Sequence, residues 1–496
     1  MESNEKTNLI TSNPYTNYSS KPHHLHYTST ISRVLWLALV VTMPCLAPGM
    51  SFGYSAIVLD QLQLTVDEQS WFASLPSTMM PIGCLLSGPL IDKLGRKTAL
   101  MVTNLPSCLG WLLLSGQPAS LYVLYVGQLL VGLSVGLSTT PATVYAAECI
   151  TVNYTGLRGC FTIMTSIMLN FGMFLTYLLG ALMPAYVVAY VAAFVSFAAF
   201  IFIGTLIPES PPWLFGQGRR MDAEFSQRVL RIAQPILQTR RAQSLDGDSA
   251  AAVRLRSRIV DRLAEPDVYK PMGIMTTFLF FQQACGSFVL TAYMIQLLGG
   301  LGVTVDAYLV TLLAGFTNLA AMVLLSVLLT RFGFKQLSYV SCAGYAASMV
   351  LLAAFLLCYG GGDSLVINAV VISCVLLNMA MNGLGLRPIP YAMLGEVFPT
   401  DVAGVAGSIV ACMSSVFNFV AIKSYPYLRI WLGPGVFAVY GALALLTLVF
   451  VATIVPDTRG KTIKQIGDDF LRKKSTVDGG VDGVYRKKSC TADEVF

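Results

Sequence analysis

The sequence predicts an all-α membrane protein of about twelve transmembrane helices, arranged as two pseudo-symmetric halves of six. Three observations carry that expectation. Of the 496 residues only 12% are charged and 55% are hydrophobic, with a mean hydropathy of +0.66, whereas a soluble domain is about one quarter charged. Apolar runs long enough to cross a bilayer, about 20 residues each, recur along the whole chain. All but three of the 32 Lys and Arg residues fall in alternate connections between those runs.

After a polar tail over 1–33, the first half (34–207) holds apolar runs beginning near Leu35, Trp71, Thr98, Leu121, Cys160 and Tyr186. A polar linker over 208–270 follows, with apolar and charged residues at the spacing of short helices. The second half (271–455) has runs beginning near Met272, Ala307, Leu337, Val366, Val402 and Val436, and a polar tail over 456–496 ends the chain. Basic residues occupy the first tail, Lys93–Lys97, Arg158, Arg219–Lys270, Arg331 with Lys335, and the positions from Arg459 onward. The exceptions are Arg387, Lys423 and Arg429, and the remaining connections are short and acidic or neutral (Asp60, Asp67, Glu68, Asp306, Asp363). The positive-inside rule therefore puts both termini and the linker in the cytoplasm.

The tails read as disordered, being rich in Ser, Thr and Asn at one end and in Gly, Asp and Lys after Lys474 at the other. Glu5–Ile10 resembles an acidic dileucine signal for sorting adaptors, and no cleavable signal peptide is expected. The expected location is the plasma membrane, with endosomal or lysosomal membrane as the alternative. Sequons at Asn17 and Asn153 fall on the cytoplasmic side and are expected to stay unglycosylated.

The residue inventory argues against catalysis. His23, His24 and His26 all lie in the first tail, leaving no imidazole in the body for a metal, a haem or a general base. The 11 cysteines form no CxxC pair. Neither an enzyme, a metal nor a cofactor is expected. The net charge of +6 follows from topology, so no nucleic-acid partner is expected either. The lipid bilayer is the evident partner.

The halves echo each other. Glu148 and Pro208-Glu209-Ser210 match Glu396 and Pro456-Asp457-Thr458 at the same separation, and Asp92-x-x-Gly95-Arg96-Lys97 has a weaker echo at Thr330-x-x-Gly333-Phe334-Lys335. Two six-helix repeats with matched cytoplasmic charges describe a rocking carrier whose solute binds between the halves near mid-membrane. Read as one helix, Gln282, Gly286 and Tyr293 would fall within about 40° of each other, making a polar stripe. Such a stripe either meets a hydroxylated solute or acts as helix-to-helix glue.

These motifs resemble the sugar porters of the major facilitator superfamily, most like the insect facilitated trehalose transporter group. The likeness runs from Pro44 to Thr462 and rests on Gly88-Pro89-Leu90-Ile91-Asp92-Lys93-Leu94-Gly95-Arg96-Lys97, Tyr145-Ala146-Ala147-Glu148, Arg158-Gly159 and Pro208-Glu209-Ser210-Pro211-Pro212-Trp213-Leu214. It continues through Gln282-Gln283-Ala284-Cys285-Gly286, Pro388-Ile389-Pro390-Tyr391, Gly395-Glu396-Val397-Phe398-Pro399, Phe417-Asn418-Phe419 and Pro456-Asp457-Thr458-Arg459-Gly460-Lys461-Thr462. The resemblance implies the major facilitator fold and a small-molecule sugar as solute. It implies gating by Asp92, Arg96, Glu148, Arg158, Glu209, Glu396 and Asp457. It also implies a solute site drawing on Asn170, Gln282, Gln283, Tyr293, Tyr391 and Asn418.

Departures from the family pattern are as informative. Gln128, Pro212, Thr330, Phe334 and Ala403 stand where the family has charged residues. Tyr391 replaces its usual Trp, Phe288 a sugar-binding Asn, and Arg387 a Gly. Arg387 either faces the cavity, where it could hold an anionic solute, or snorkels to the outer surface. Gly53-Tyr54-Ser55 lacks the Asp that proton-coupled relatives carry, so uniport is expected. The leading expectation is a facilitative carrier of trehalose or a hexose by alternating access. The alternatives are a polyol or organic-anion carrier using Arg387 and Phe288, and a transport-poor sugar sensor.

Overall fold

The computed structural model describes residues 36–116, 120–150, 158–230, 262–329, 331–358, 364–399, 402–459 and 465. The sorting signal, the sequons at Asn17 and Asn153, the three histidines, Thr330, most of both tails and linker residues 231–261 lie outside them, as does the side chain of Arg158.

The first half contains α1 (Trp36–Gln61), α2 (Val66–Leu94), α3 (Arg96–Ser115), α4 (Leu121–Ile150), α5 (Arg158–Gly180) and α6 (Ala185–Leu206). Two short helices follow in the linker, α7 (Pro211–Gly216) and α8 (Arg220–Leu230). The second half opens with a broken crossing, α9 (Pro266–Ala284), α10 (Ser287–Ala292) and α11 (Met294–Gly300). It continues with α12 (Ala307–Leu328), α13 (Phe334–Cys358), α14 (Ser364–Met381), α15 (Pro388–Val397), α16 (Ala403–Leu432) and α17 (Val436–Thr453). Ten apolar runs of described helix are long enough to cross a membrane. The run Ala403–Thr453 contains both α16 and α17, and α9–α11 supplies a further crossing, which brings the fold to the twelve expected.

Local chemistry sets the ends. At the start of α2 the Thr65 backbone N–H donates to the Glu68 carboxylate at 2.8 Å, and the Thr65 hydroxyl accepts from the Glu68 N–H at 3.4 Å. This capping box satisfies two helix-end donors. The predicted polar stripe on one continuous helix does not survive. Gly286 adopts φ +83°, a left-handed conformation that ends α9, and Tyr293 interrupts the chain again between α10 and α11. A Cβ on Gly286 would also sit 2.9 Å from the Tyr440 ring. A π turn over Asn382–Leu386 separates α14 from α15, closed by the Arg387 N–H donating to the Asn382 carbonyl at 3.1 Å. Pro388 and Pro390 bring no N–H of their own, and the widened turn re-aims the chain at Arg387.

Within lipid, helices associate through close backbone approach more than through burial of apolar area. A Cβ on Gly132 or Gly136 of α4 would collide with the α2 backbone at Pro76 or Met80, and one on Gly49 or Gly172 would collide across α1 and α5. Helices pair as α1–α5, α2–α4 and α3–α6 in the first half, and as α9–α16, α12–α14 and α13–α17 in the second. The repeat read from the sequence is thus a repeat of packing. Between the halves α16 lies along α2 and α12 along α5.

Candidate functional site

A cavity of 260 Å³ lies between the halves, reaching from the helix midpoints at Phe52 and Phe288 into the half of the molecule that carries the basic connections. Arg387, at the end of the π turn, lines it. The side chain points inward and is 5% exposed, so it does not snorkel. It is the one Asp, Glu, Lys or Arg among the buried described residues. Its NH2 donates to the Ser287 carbonyl at 3.1 Å and the Thr291 hydroxyl at 2.8 Å, and its NH1 reaches Asn170 Oδ1 at 3.4 Å across the halves. Its guanidinium carbon lies 4.1 Å from the centre of the Phe288 ring, a cation–π contact. Phe288 in turn packs on Phe52 of α1 with ring centres 5.6 Å apart. The two departures flagged near the presumed solute site are therefore one physical unit: the ring that replaces an amide supports the cation that replaces a glycine.

Four predicted solute-site residues, Asn170, Phe288, Arg387 and Tyr391, share this cavity. Asn418 lies farther from the basic half, lining a void of 30 Å³ and donating to the Ser77 hydroxyl at 3.0 Å. Gln283 donates to Ser414 at 3.0 Å and to Tyr391 at 3.4 Å, while Tyr391 and Ser414 hydroxyls stand 2.8 Å apart. Gln283 therefore reaches the cavity through Tyr391. Gln282 is fully buried, with both amide atoms unpaired among the described residues and outside either lining. Tyr293 is buried against Tyr425 with ring centres 4.9 Å apart, and its hydroxyl is 3.5 Å from the Ile422 carbonyl. Sequence reasoning missed the hydroxyl wall of Thr139, Thr143, Thr165 and Ser166. The Thr139-Thr140-x-x-Thr143 run in an otherwise apolar helix was its signal.

Of the predicted gating residues of the first half, Asp92, Arg96, Glu148 and Glu209 come together. Arg96 NH2 meets Glu148 at 2.7 Å and its Nε lies 3.0 and 3.1 Å from the two Glu148 oxygens, while Asp92 stands 3.9 Å away. Ser210 donates its hydroxyl to the same Glu148 carboxylate. Glu209 Oε1 accepts from the backbone N–H groups of Arg96 at 2.8 Å, Lys97 at 3.0 Å and Ser210 at 2.9 Å, so an anion caps the start of α3. The approach requires Gly95, at φ +92°, because a Cβ there would strike the Glu209 carboxylate. In the second half no such cluster is seen around Asp457 among the described residues; its Oδ1 accepts from the Arg459 N–H at 3.1 Å. The Arg459 guanidinium donates to the Arg331 carbonyl at 3.0 Å. Glu396, half-buried near the end of α15, is not left without a partner.

At the opposite end of the molecule the halves are tied together. Lys423 Nζ lies 3.1 Å from Asp67 and 3.9 Å from the centre of the Trp71 ring, and Tyr427 donates to Asp67 at 2.6 Å. Tyr308 donates to Asp60 at 2.7 Å, Ser70 to the Lys423 carbonyl at 3.0 Å, and Gln296 to the Leu59 carbonyl at 3.1 Å. Lys423 was legible only as an exception to the charge pattern, and its role in this latch was missed. The carboxylate of its partner Asp67 is exposed to solvent, so Lys423→Ala is expected to loosen the latch only modestly, shifting the opening equilibrium a few-fold. A cysteine placed at Ser77, in the small void beneath, should then react correspondingly faster with an impermeant maleimide. An unchanged rate would mean the latch does not hold that end shut.

Comparison with known proteins agrees with this geometry. The family model "Sugar (and other) transporter" matches residues 17–470. A facilitated trehalose transporter Tret1-2 homolog of Drosophila sechellia is 27% identical over 472 residues, 92% of this chain and 95% of the relative. Sugar transporter ERD6-like 6 of Arabidopsis thaliana is 30% identical over 452 residues, 89% of this chain and 91% of the relative. Among solved structures, the proton:xylose symporter XylE bound to 6-bromo-6-deoxy-D-glucose aligns with a TM-score of 0.70 at 19% identity, over 89% of this chain and all of that one. The inward-open E. coli XylE structure aligns equally well, with a TM-score of 0.70 at 19% identity over 88% of this chain and 99% of that one. These structures share the major facilitator fold. Matched by the family model over nearly its whole length, this chain belongs to the sugar transporter family.

Proposed function

We propose that the protein is a facilitative carrier that moves a sugar, trehalose or a hexose in the first instance, down its gradient by alternating access. The observation that carries this reading is the asymmetry between its two ends. A central cavity extends into the basic half, while ion pairs and hydrogen bonds close the other. With the basic connections on the cytoplasmic side, this is a carrier facing inward at the plasma membrane, both termini in the cytoplasm. Rocking the halves about the α2–α16 and α5–α12 contacts would exchange one closure for the other. Uniport is favoured because no Asp or Glu is buried among the described residues, so a proton has no carboxylate to ride between the halves.

Uptake of labelled trehalose and glucose in cells expressing the protein at their surface tests the reading. Saturable uptake unchanged by a proton ionophore is the expected result. Collapse of uptake with the ionophore would indicate proton coupling, and no uptake of any solute from surface-expressed protein would end the carrier reading. A polyol or organic-anion solute is a second reading, and the buried cation at the head of the cavity favours the anion.

A further inference from the structure

We infer that the solute the cavity is built for is a sugar acid, a polyhydroxylated monocarboxylate, whose carboxylate pairs with Arg387. The inference rests on the carrier reading and specifies its second, organic-anion solute. It begins from a charge imbalance. Arg387 is the one buried ionisable Asp, Glu, Lys or Arg among the described residues, and none of the ion pairs found among them involves it. Its present partners are a carbonyl, a hydroxyl, an amide oxygen, a thioether sulfur at 3.8 Å and an aromatic face, all neutral. They orient the guanidinium without cancelling its charge. Its Nε has no partner among the described residues, and the NH1 bond to Asn170 is long at 3.4 Å. An uncompensated charge in a low-dielectric interior is costly, and an incoming carboxylate removes that cost while offering a planar acceptor suited to guanidinium. A neutral sugar would leave the charge unpaired.

The rest of the wall specifies the other end of the solute. Thr143 donates its hydroxyl proton to its own helix, at 3.1 Å to the Thr139 carbonyl and 2.9 Å to that of Thr140, and Thr139 points likewise at Gly136 at 3.5 Å. With their protons directed at the backbone, these oxygens face the cavity as acceptors. On the facing helix, Thr165 Oγ1 is buried and has no partner among the described residues. One end of the cavity therefore donates to an anion, and its flank accepts from hydroxyl groups. A hydroxylated carboxylate satisfies both.

The test compares D-glucuronate, D-glucose and hexanoate. Proteoliposomes holding the full chain should take up labelled glucuronate at least about tenfold faster than glucose at equal concentration. Unlabelled hexanoate, which has the charge but not the hydroxyls, should compete poorly. Arg387→Gln should lower glucuronate uptake about ten- to a hundredfold, the range for losing a charge-assisted hydrogen bond, while Arg387→Lys retains part of it. Glucuronate should raise the melting temperature of the purified protein, and glucose should not. The comparison among solutes on the unaltered protein stands even if Arg387→Gln fails to fold. Saturable glucose uptake with no response to glucuronate would overturn the inference and leave the carrier intact. Equal competition by hexanoate would overturn the hydroxylated part. Stabilisation by glucuronate with no transport of any solute would instead uphold the site and overturn the carrier.

Discussion

Replacing Arg96 with alanine is expected to lower solute uptake more than about tenfold. The Arg96 side chain is 13% exposed and that of Glu148 20%, and the pair is held by three guanidinium contacts of 2.7 to 3.1 Å. Truncation leaves the Glu148 carboxylate half-buried with Ser210 as its main remaining partner. Breaking a buried pair costs about 3–5 kcal/mol, and partial exposure brings this to about 2–3 kcal/mol here. The loss falls on the junction of α2, α3, α4 and α7, which Glu209 also stitches together. Uptake normalised to surface protein is the measurement. Arg96→Ala with Glu148→Gln should be less impaired than the two single effects summed, since no charge is then stranded. Uptake at the unaltered level in Arg96→Ala would show that the cluster is a topology signal rather than a working part.

The second large effect concerns packing. Gly132→Leu is expected to abolish the folded carrier, because even the first carbon of the new side chain would lie inside the Pro76 backbone. Backbone on both sides has no rotamer to yield, so α2 and α4 must separate. We expect a cost above about 4 kcal/mol, in the range reserved for severe core overpacking. Detergent-solubilised protein should lose its monodisperse peak in size-exclusion chromatography. Gly88→Ala in the same α2 is the control, since nothing lies within 4 Å of a Cβ there. That substitution should leave the folded carrier and its monodisperse peak intact. Equal behaviour of the two variants would refute the close-packing account.

The twelve crossings were legible because lipid leaves few options: a span must be long, apolar and internally hydrogen-bonded. The first-half charge cluster was legible because Arg96, Glu148 and Glu209 lie in motifs beside helix ends. Less could be read of the second half's opening. Gly286 breaks that crossing through a left-handed turn pressed on Tyr440, far away in the chain, and no periodicity reports such a neighbour. The same break explains why Gln282 and Tyr293, aligned on paper, part company in space. Arg387 was visible as a misplaced charge. Its partner Phe288 was visible as a misplaced ring, but their stacking depends on the π turn at Asn382–Leu386 and on how α10 is aimed. Residues that face a cavity between two halves are chosen by the tilt of those halves, which sequence periodicity within one helix does not encode.

The buried guanidinium has one more consequence, which concerns voltage. If the carrier faces inward as proposed, the cavity would bring the cytoplasmic potential up to Arg387, and the membrane field would fall across the sealed layer beyond it. Opening the other end would move that field to the opposite side of the same residue. A charge that scarcely shifts in space would thereby cross the whole electrical drop, an exchange worth about 2.3 kcal/mol per 100 mV. An inside-negative membrane would then hold the empty carrier facing inward. A bound carboxylate would cancel the charge and release the loaded carrier from that bias, so the resting potential would act mainly on the return of the empty site.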